Sequence, residues 1–160
     1  MAEDYTPQID PDGDFAYDVQ ETLRVLGMHV GEVNVRNGWD ISRSMEGAAS
    51  RDFDPRHVTA HKIAELGLIT TEVAEAIEEV RHGHAMNETY YKGEVSGNEY
   101  STPRTIGFPE KPEGVPSELA DVIIRVLDLA DAYGINIGAA LIEKLNHNAT
   151  RGLHHGGKAL

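Results

Sequence analysis

Apolar residues recur at steps of three and four in four separate stretches of this 160-residue chain, and each stretch is closed by residues that stop a helix. That spacing lines up one face of a 3.6-residue helix, whereas a half-buried strand needs a period of two. The first stretch holds Val19, Leu23, Leu26, Val30 and Val33, predicts a helix over about 16–36, and stops at Asn37-Gly38. Gly27 and Gly31 inside it each cost roughly 1 kcal/mol relative to alanine. Asp54-Pro55 opens the second stretch with a cap acceptor followed by proline at the first helical position, where the missing N–H is not needed. Ile63, Leu66, Ile69, Val73, Ala76, Ile77 and Val80 then form an apolar face that ends at His82-Gly83. Pro116-Ser117 opens the third, whose stripe of Leu119, Val122, Ile123, Val126, Leu127 and Ala130 runs to Gly134. Asn136 is placed to cap the fourth, which carries Ala139, Leu141, Ile142 and Leu145 to about Thr150.

Four amphipathic helices without a convincing core strand predict an all-α, four- to five-helix bundle in a single domain over 15–160. Residues 1–14 hold five acids, two prolines and one glycine, the composition of a flexible acidic tail. Residues 83–116 are rich in glycine and proline and lack helical period, so they read as a long inserted loop or hairpin between helices two and three. Tyr90-Tyr91 and Glu99-Tyr100 flank Ser96-Gly97-Asn98, which is suited to closing a short hairpin. With Tyr90, Tyr91, Tyr100 and Phe108, the insertion serves equally as a lid over a base or as a dimer arm. Residues 152–160 form a glycine-rich tail.

Charge narrows the partners. Lys plus Arg is 14 against 27 for Asp plus Glu, a net charge of −13, which disfavours a nucleic-acid polymer or an anionic membrane surface. Divalent cations held on carboxylates invert that field locally and admit a small polyanion. The absence of cysteine removes disulfides, thiolate zinc sites and cysteine nucleophiles. Apolar runs broken by Arg125, Asp128 and Asp131 are too short for a membrane span, and the acidic N-terminus is the opposite of a signal peptide. A cytoplasmic protein is expected.

Three sets of residues are candidates for chemistry. Glu72 and Glu75 stand three apart on one face of helix two, with Glu79 one turn further. Taken alone they also fit a solvated acidic face. Glu118 and Asp121 repeat the spacing at the start of helix three, where acids complement the helix dipole. Asp121, however, lies in a strongly apolar run, where an acid is costly unless paired or bound to metal. Four carboxylates on two helices suit a hard cation such as Mg²⁺, which takes its remaining ligands from water and phosphate. Lys144, Asn148 and Arg151 share a face of helix four at i, i+4 and i+7, able to hold phosphate oxygens or to form a solvated cationic helix end.

The ordered set Glu72-Val-Ala-Glu75, Glu118-Leu-Ala-Asp121, Lys144-x-x-x-Asn148-x-x-Arg151 and His155-Gly-Gly-Lys158 resembles the MazG-like branch of the all-α nucleotide pyrophosphohydrolases. The resemblance covers roughly 57–82 and 117–160. It implies Mg²⁺-dependent hydrolysis of a nucleoside triphosphate to the monophosphate and pyrophosphate, with Mn²⁺ an alternative ion. Glu72, Glu75, Glu118 and Asp121 would hold the metal, and one of Glu72 and Glu75 would serve as general base. Lys144, Asn148, Arg151, His155 and Lys158 would bind the phosphates. His29 and Trp39 resemble a pair that some relatives use near the base, and equally fit a core histidine with a packing tryptophan. The family usually joins its acidic motifs by a short connection; here residues 76–117 separate them. The wide apolar stripes of helices two and three point to a homodimer or homotetramer. Two other classes compete. A di-metal carboxylate redox bundle needs two Glu-x-x-His motifs, for which only Glu79-x-x-His82 is a candidate. A non-catalytic helical interaction module would keep the acidic face without turnover.

Overall fold

The structure, a computed structural model, describes residues 8–39, 41, 55–91 and 111–150. Among them are four helices, α1 (Asp14–Arg36), α2 (Pro55–Arg81), α3 (Val115–Ala132) and α4 (Ile137–Ala149). One short antiparallel ladder joins β1 (Tyr90–Tyr91) to β2 (Pro112–Glu113). The fold is all-α, and no described helix is long and apolar enough to cross a membrane. Helix limits follow the local signals closely. Asn37 and Gly38 close α1 by donating their N–H groups to the Val33 and Val35 carbonyls. Asn136 caps α4, its Oδ1 accepting from the Ala139 N–H at 3.0 Å.

Packing divides the chain into two compact units, one drawn from Met1–Ser42 and Leu127–Leu160, the other from Arg43–Val126, so the boundary falls within α3. In the first unit α1 packs against α4, and Ala16, Val30, Leu127, Ala130 and Ile142 are buried. Gly138 permits this approach, since a Cβ there would lie 2.6 Å from the Gln20 Cα. Asn34 donates to Asp128 Oδ2 at 2.7 Å, satisfying a buried acid. The Asn146 side chain bonds Ile9 twice, accepting from its N–H at 2.7 Å and donating to its carbonyl at 2.6 Å.

The second unit contains α2, the ladder and residues 115–126 of α3. Tyr90 stands opposite Glu113 and Tyr91 opposite Pro112, so β1 pairs with the residues just before α3. Glu99-Tyr100, expected as the second strand, lie outside the described residues, as do Tyr100, Phe108 and the rest of 92–110. Gly114 makes the turn from β2 into α3 at φ +101, and any side chain there would run into the Glu88 carbonyl oxygen. That turn sets where α3 begins.

Burial on α2 departs from the apolar face expected of it. Of that set Ala76 alone is buried, while Ile63 is 63 % exposed, Ile77 55 % and Val73 42 %. The face turned inward carries Glu65 and Glu72 with Ala76, at spacings of seven and four residues that share one side of a helix. On α3, Leu119 and Ile123 are likewise exposed, whereas Val115 and Glu118 are buried.

Candidate metal centre

The acidic pairs meet within the second unit. One oxygen each from Glu72, Glu75 and Glu118 lie within 4.8 Å of one another. As α2 runs from Glu72 to Glu75, its neighbours on α3 run back from Arg125 and Asp121 to Glu118, an antiparallel register. Register explains why i, i+3 pairs on two helices converge: each contributes one turn, and opposed turns superimpose.

Glu118 is 2 % exposed, and among the described residues its Oε2 has no hydrogen-bond partner. Burial raises its carboxyl above the ordinary range; nearby Lys111 opposes that shift, and the charges of Glu75, Asp121 and Glu113 add to it. Asp121 lies outside the 4.8 Å set but shares the field, raised first by its own burial and then by Glu72. A buried carboxylate oxygen without a donor is costly unless something positive meets it. A donor set made of carboxylate oxygens alone, with Glu75 exposed to water, fits a hard divalent cation.

Two cations not anticipated from sequence accompany the carboxylates. Arg125 Nε–H donates to Glu72 Oε1 at 2.9 Å. Its position was legible, because Glu118, Asp121 and Arg125 fall at i, i+3 and i+7 on one side of α3. Lys111 Nζ donates to Glu113 Oε2 at 3.2 Å. That bond holds the ammonium above its ordinary pKa, and the charges of Glu118 and Asp121 contribute in the same direction. Lys111 sits in the glycine- and proline-rich stretch, where no periodicity pointed to it. Tyr90 OH donates to Glu79 Oε2 at 3.1 Å, tying the ladder to α2 one turn beyond Glu75. The Tyr90 ring stacks on His84 with centroids 4.5 Å apart.

The other sequence-predicted site residues fall in the first unit or outside the description. Lys144 and Asn148 are exposed on α4, and His29 is exposed on α1. Trp39 is also exposed, rather than packed in a core, with its backbone N–H on the Asn34 carbonyl at 2.9 Å. Arg151, His155 and Lys158 lie outside the described residues. A cavity of about 400 Å³ in the first unit is lined by Leu23, Leu127, Ala130, Ile135 and Ile137 among others, and by none of the predicted site residues. No family model, curated protein or solved structure matches the chain.

Proposed function

We propose that this chain is a MazG-like nucleotide pyrophosphohydrolase that cleaves a nucleoside triphosphate to the monophosphate and pyrophosphate with Mg²⁺, or Mn²⁺ in its place. The observation that carries the reading is Glu118, a buried carboxylate with an unpartnered oxygen beside Glu72 and Glu75. Glu72, Glu75, Glu118 and Asp121 would hold the metal. Bound there, Mg²⁺ would supply positive charge to the phosphate oxygens and acidify the attacking water. Glu72 already accepts a hydrogen bond from Arg125, so Glu75, exposed to solvent, is the better general base. Glu75 takes one proton from the water as its oxygen bonds to phosphorus and the α,β-anhydride bond breaks, pyrophosphate leaving with the bridging oxygen. Lys111, near the carboxylates, offsets charge on the phosphates.

A homodimer or homotetramer belongs to the same reading. Its support is the large apolar side chains that α2 and α3 leave exposed, which a second copy of the chain would cover. The decisive assay is pyrophosphate release across a panel of nucleoside triphosphates at fixed Mg²⁺. Release that a chelator abolishes supports the reading. Failure with every nucleotide rejects it, and would favour a non-catalytic module or, with iron-dependent oxidation, a redox bundle.

A further inference from the structure

We infer that Arg125 is a positioning residue that confines Glu72 to one-oxygen ligation and thereby tunes the carboxylate cluster toward a small octahedral cation such as Mg²⁺ and away from Ca²⁺. The inference rests on the metal-centre reading and goes beyond it, to which ion the cluster prefers and why.

Arg125 Nε–H points at Glu72 Oε1 across 2.9 Å, with Glu72 almost buried and Arg125 only partly exposed. A charge-assisted bond in so sheltered a place meets little competition from solvent, and it fixes the carboxylate's rotation about its last torsion. With one lone pair of Oε1 held by Arg125 and the carboxylate's rotation fixed, Oε1 is the weaker donor and Glu72 offers chiefly Oε2 to a cation shared with Glu75 and Glu118. Mg²⁺ accepts that arrangement, since it wants six oxygens in near-ideal octahedral order and retains waters. Ca²⁺ prefers more oxygens and gains most from carboxylates that chelate with both. The partner that holds a ligand's second oxygen therefore bears on the choice between ions of equal charge, because hydrogen bonds to metal ligands set their orientation. Arg125 also lowers the net negative charge of the site, but that acts on both divalent ions alike and does not separate them.

The test is equilibrium binding of Mg²⁺ and Ca²⁺, each titrated calorimetrically into chelator-stripped protein without nucleotide. Wild type should bind Mg²⁺ at least as tightly as Ca²⁺. Arg125→Met keeps the aliphatic stem and removes the donors. It should shift the ratio of the two dissociation constants toward Ca²⁺ by about tenfold or more, the size typical of partners that orient metal ligands. Arg125→Lys keeps a charged donor and should stay near the wild-type ratio. A residue that merely supports the helix would weaken both ions together and leave the ratio alone. An unchanged ratio in Arg125→Met overturns the inference and leaves the metal centre standing. Should that variant not fold, a wild-type preference for Ca²⁺ of more than about tenfold overturns it equally. Wild type that binds neither ion overturns both readings.

Discussion

Glu118 combines burial with an unbonded carboxylate oxygen, and together these conditions cost the folded chain stability unless something positive meets that oxygen. Its carboxyl and that of Asp121 are raised by burial and by neighbouring acids. The folded protein therefore keeps protons that the unfolded chain has already released. Stability from these two groups is full below their ordinary carboxyl range and is lost as pH rises through the raised values. Metal-free protein should accordingly melt at a higher temperature near about pH 5 than near about pH 7.5, and Glu118→Gln should flatten that slope while raising the neutral-pH midpoint. Circular-dichroism melts in chelator measure both; a midpoint that climbs with pH in wild type would contradict the burial argument. In the assay, Glu75→Gln, Glu118→Gln and Asp121→Asn should each lower pyrophosphate release by at least about 100-fold while remaining helical, the scale expected when a base or metal ligand is lost. Lys111→Ala, by contrast, removes an exposed cation and should raise KM several-fold, an effect that added salt diminishes.

Two glycines separate helix propensity from helix packing. Gly31 and Gly138 both stand within helices and meet other elements, but different atoms face them. A Cβ at Gly31 would come within 2.8 Å of Asp131 Oδ2, the tip of a side chain that can turn aside. A Cβ at Gly138 would meet the Gln20 Cα at 2.6 Å, which yields only if α1 and α4 separate. Gly31→Ala should thus be neutral or stabilising by up to about 1 kcal/mol through helix propensity, and Gly138→Ala destabilising by about 1–3 kcal/mol through overpacking. Urea titrations of both variants test the contrast. The ladder offers a third check, because Tyr90→Phe removes the bond to Glu79 while keeping the stacked ring. A loss of about 1 kcal/mol is expected.

At the scale of the whole molecule the unusual property is which faces are left to solvent. Ile63, Leu66, Val73, Ile77 and Val80 on α2, and Leu119 and Ile123 on α3, are exposed, while acids occupy the inward side. Large apolar side chains exposed in such number on two helices are the kind of surface that an interface between copies covers. Light scattering at micromolar concentration should give at least twice the 17.5 kDa chain mass. Ile77→Glu or Ile123→Glu should reduce that mass without lowering helix content. Monomeric wild type would remove the homo-oligomer from the proposal.

Much of the fold was legible without any tertiary information, because helix formation is decided within a few residues of chain. Pro55 marked the start of α2, Asn37-Gly38 the end of α1, and Asn136 the cap of α4, the last two through hydrogen bonds made to immediate neighbours. The i, i+3 spacing of Glu72 with Glu75 and of Glu118 with Asp121 likewise put each pair on one helix face before the helices were brought together. Which face turns inward is a different matter, since α2 has both an apolar and an acidic stripe and only its partner selects between them. Apolar periodicity alone favoured burying Ile63, Val73 and Ile77; the antiparallel register with α3 instead encloses Glu72 against Arg125 and brings Glu118 beside Glu75. Lys111 and Tyr90 enter through the β1–β2 ladder, whose register depends on pairing across residues 92–110 and has no signature in local spacing. Sequence determined the helices and the acids they carry; tertiary contact decided that the acids face one another, because convergence belongs to two elements at once and to neither alone.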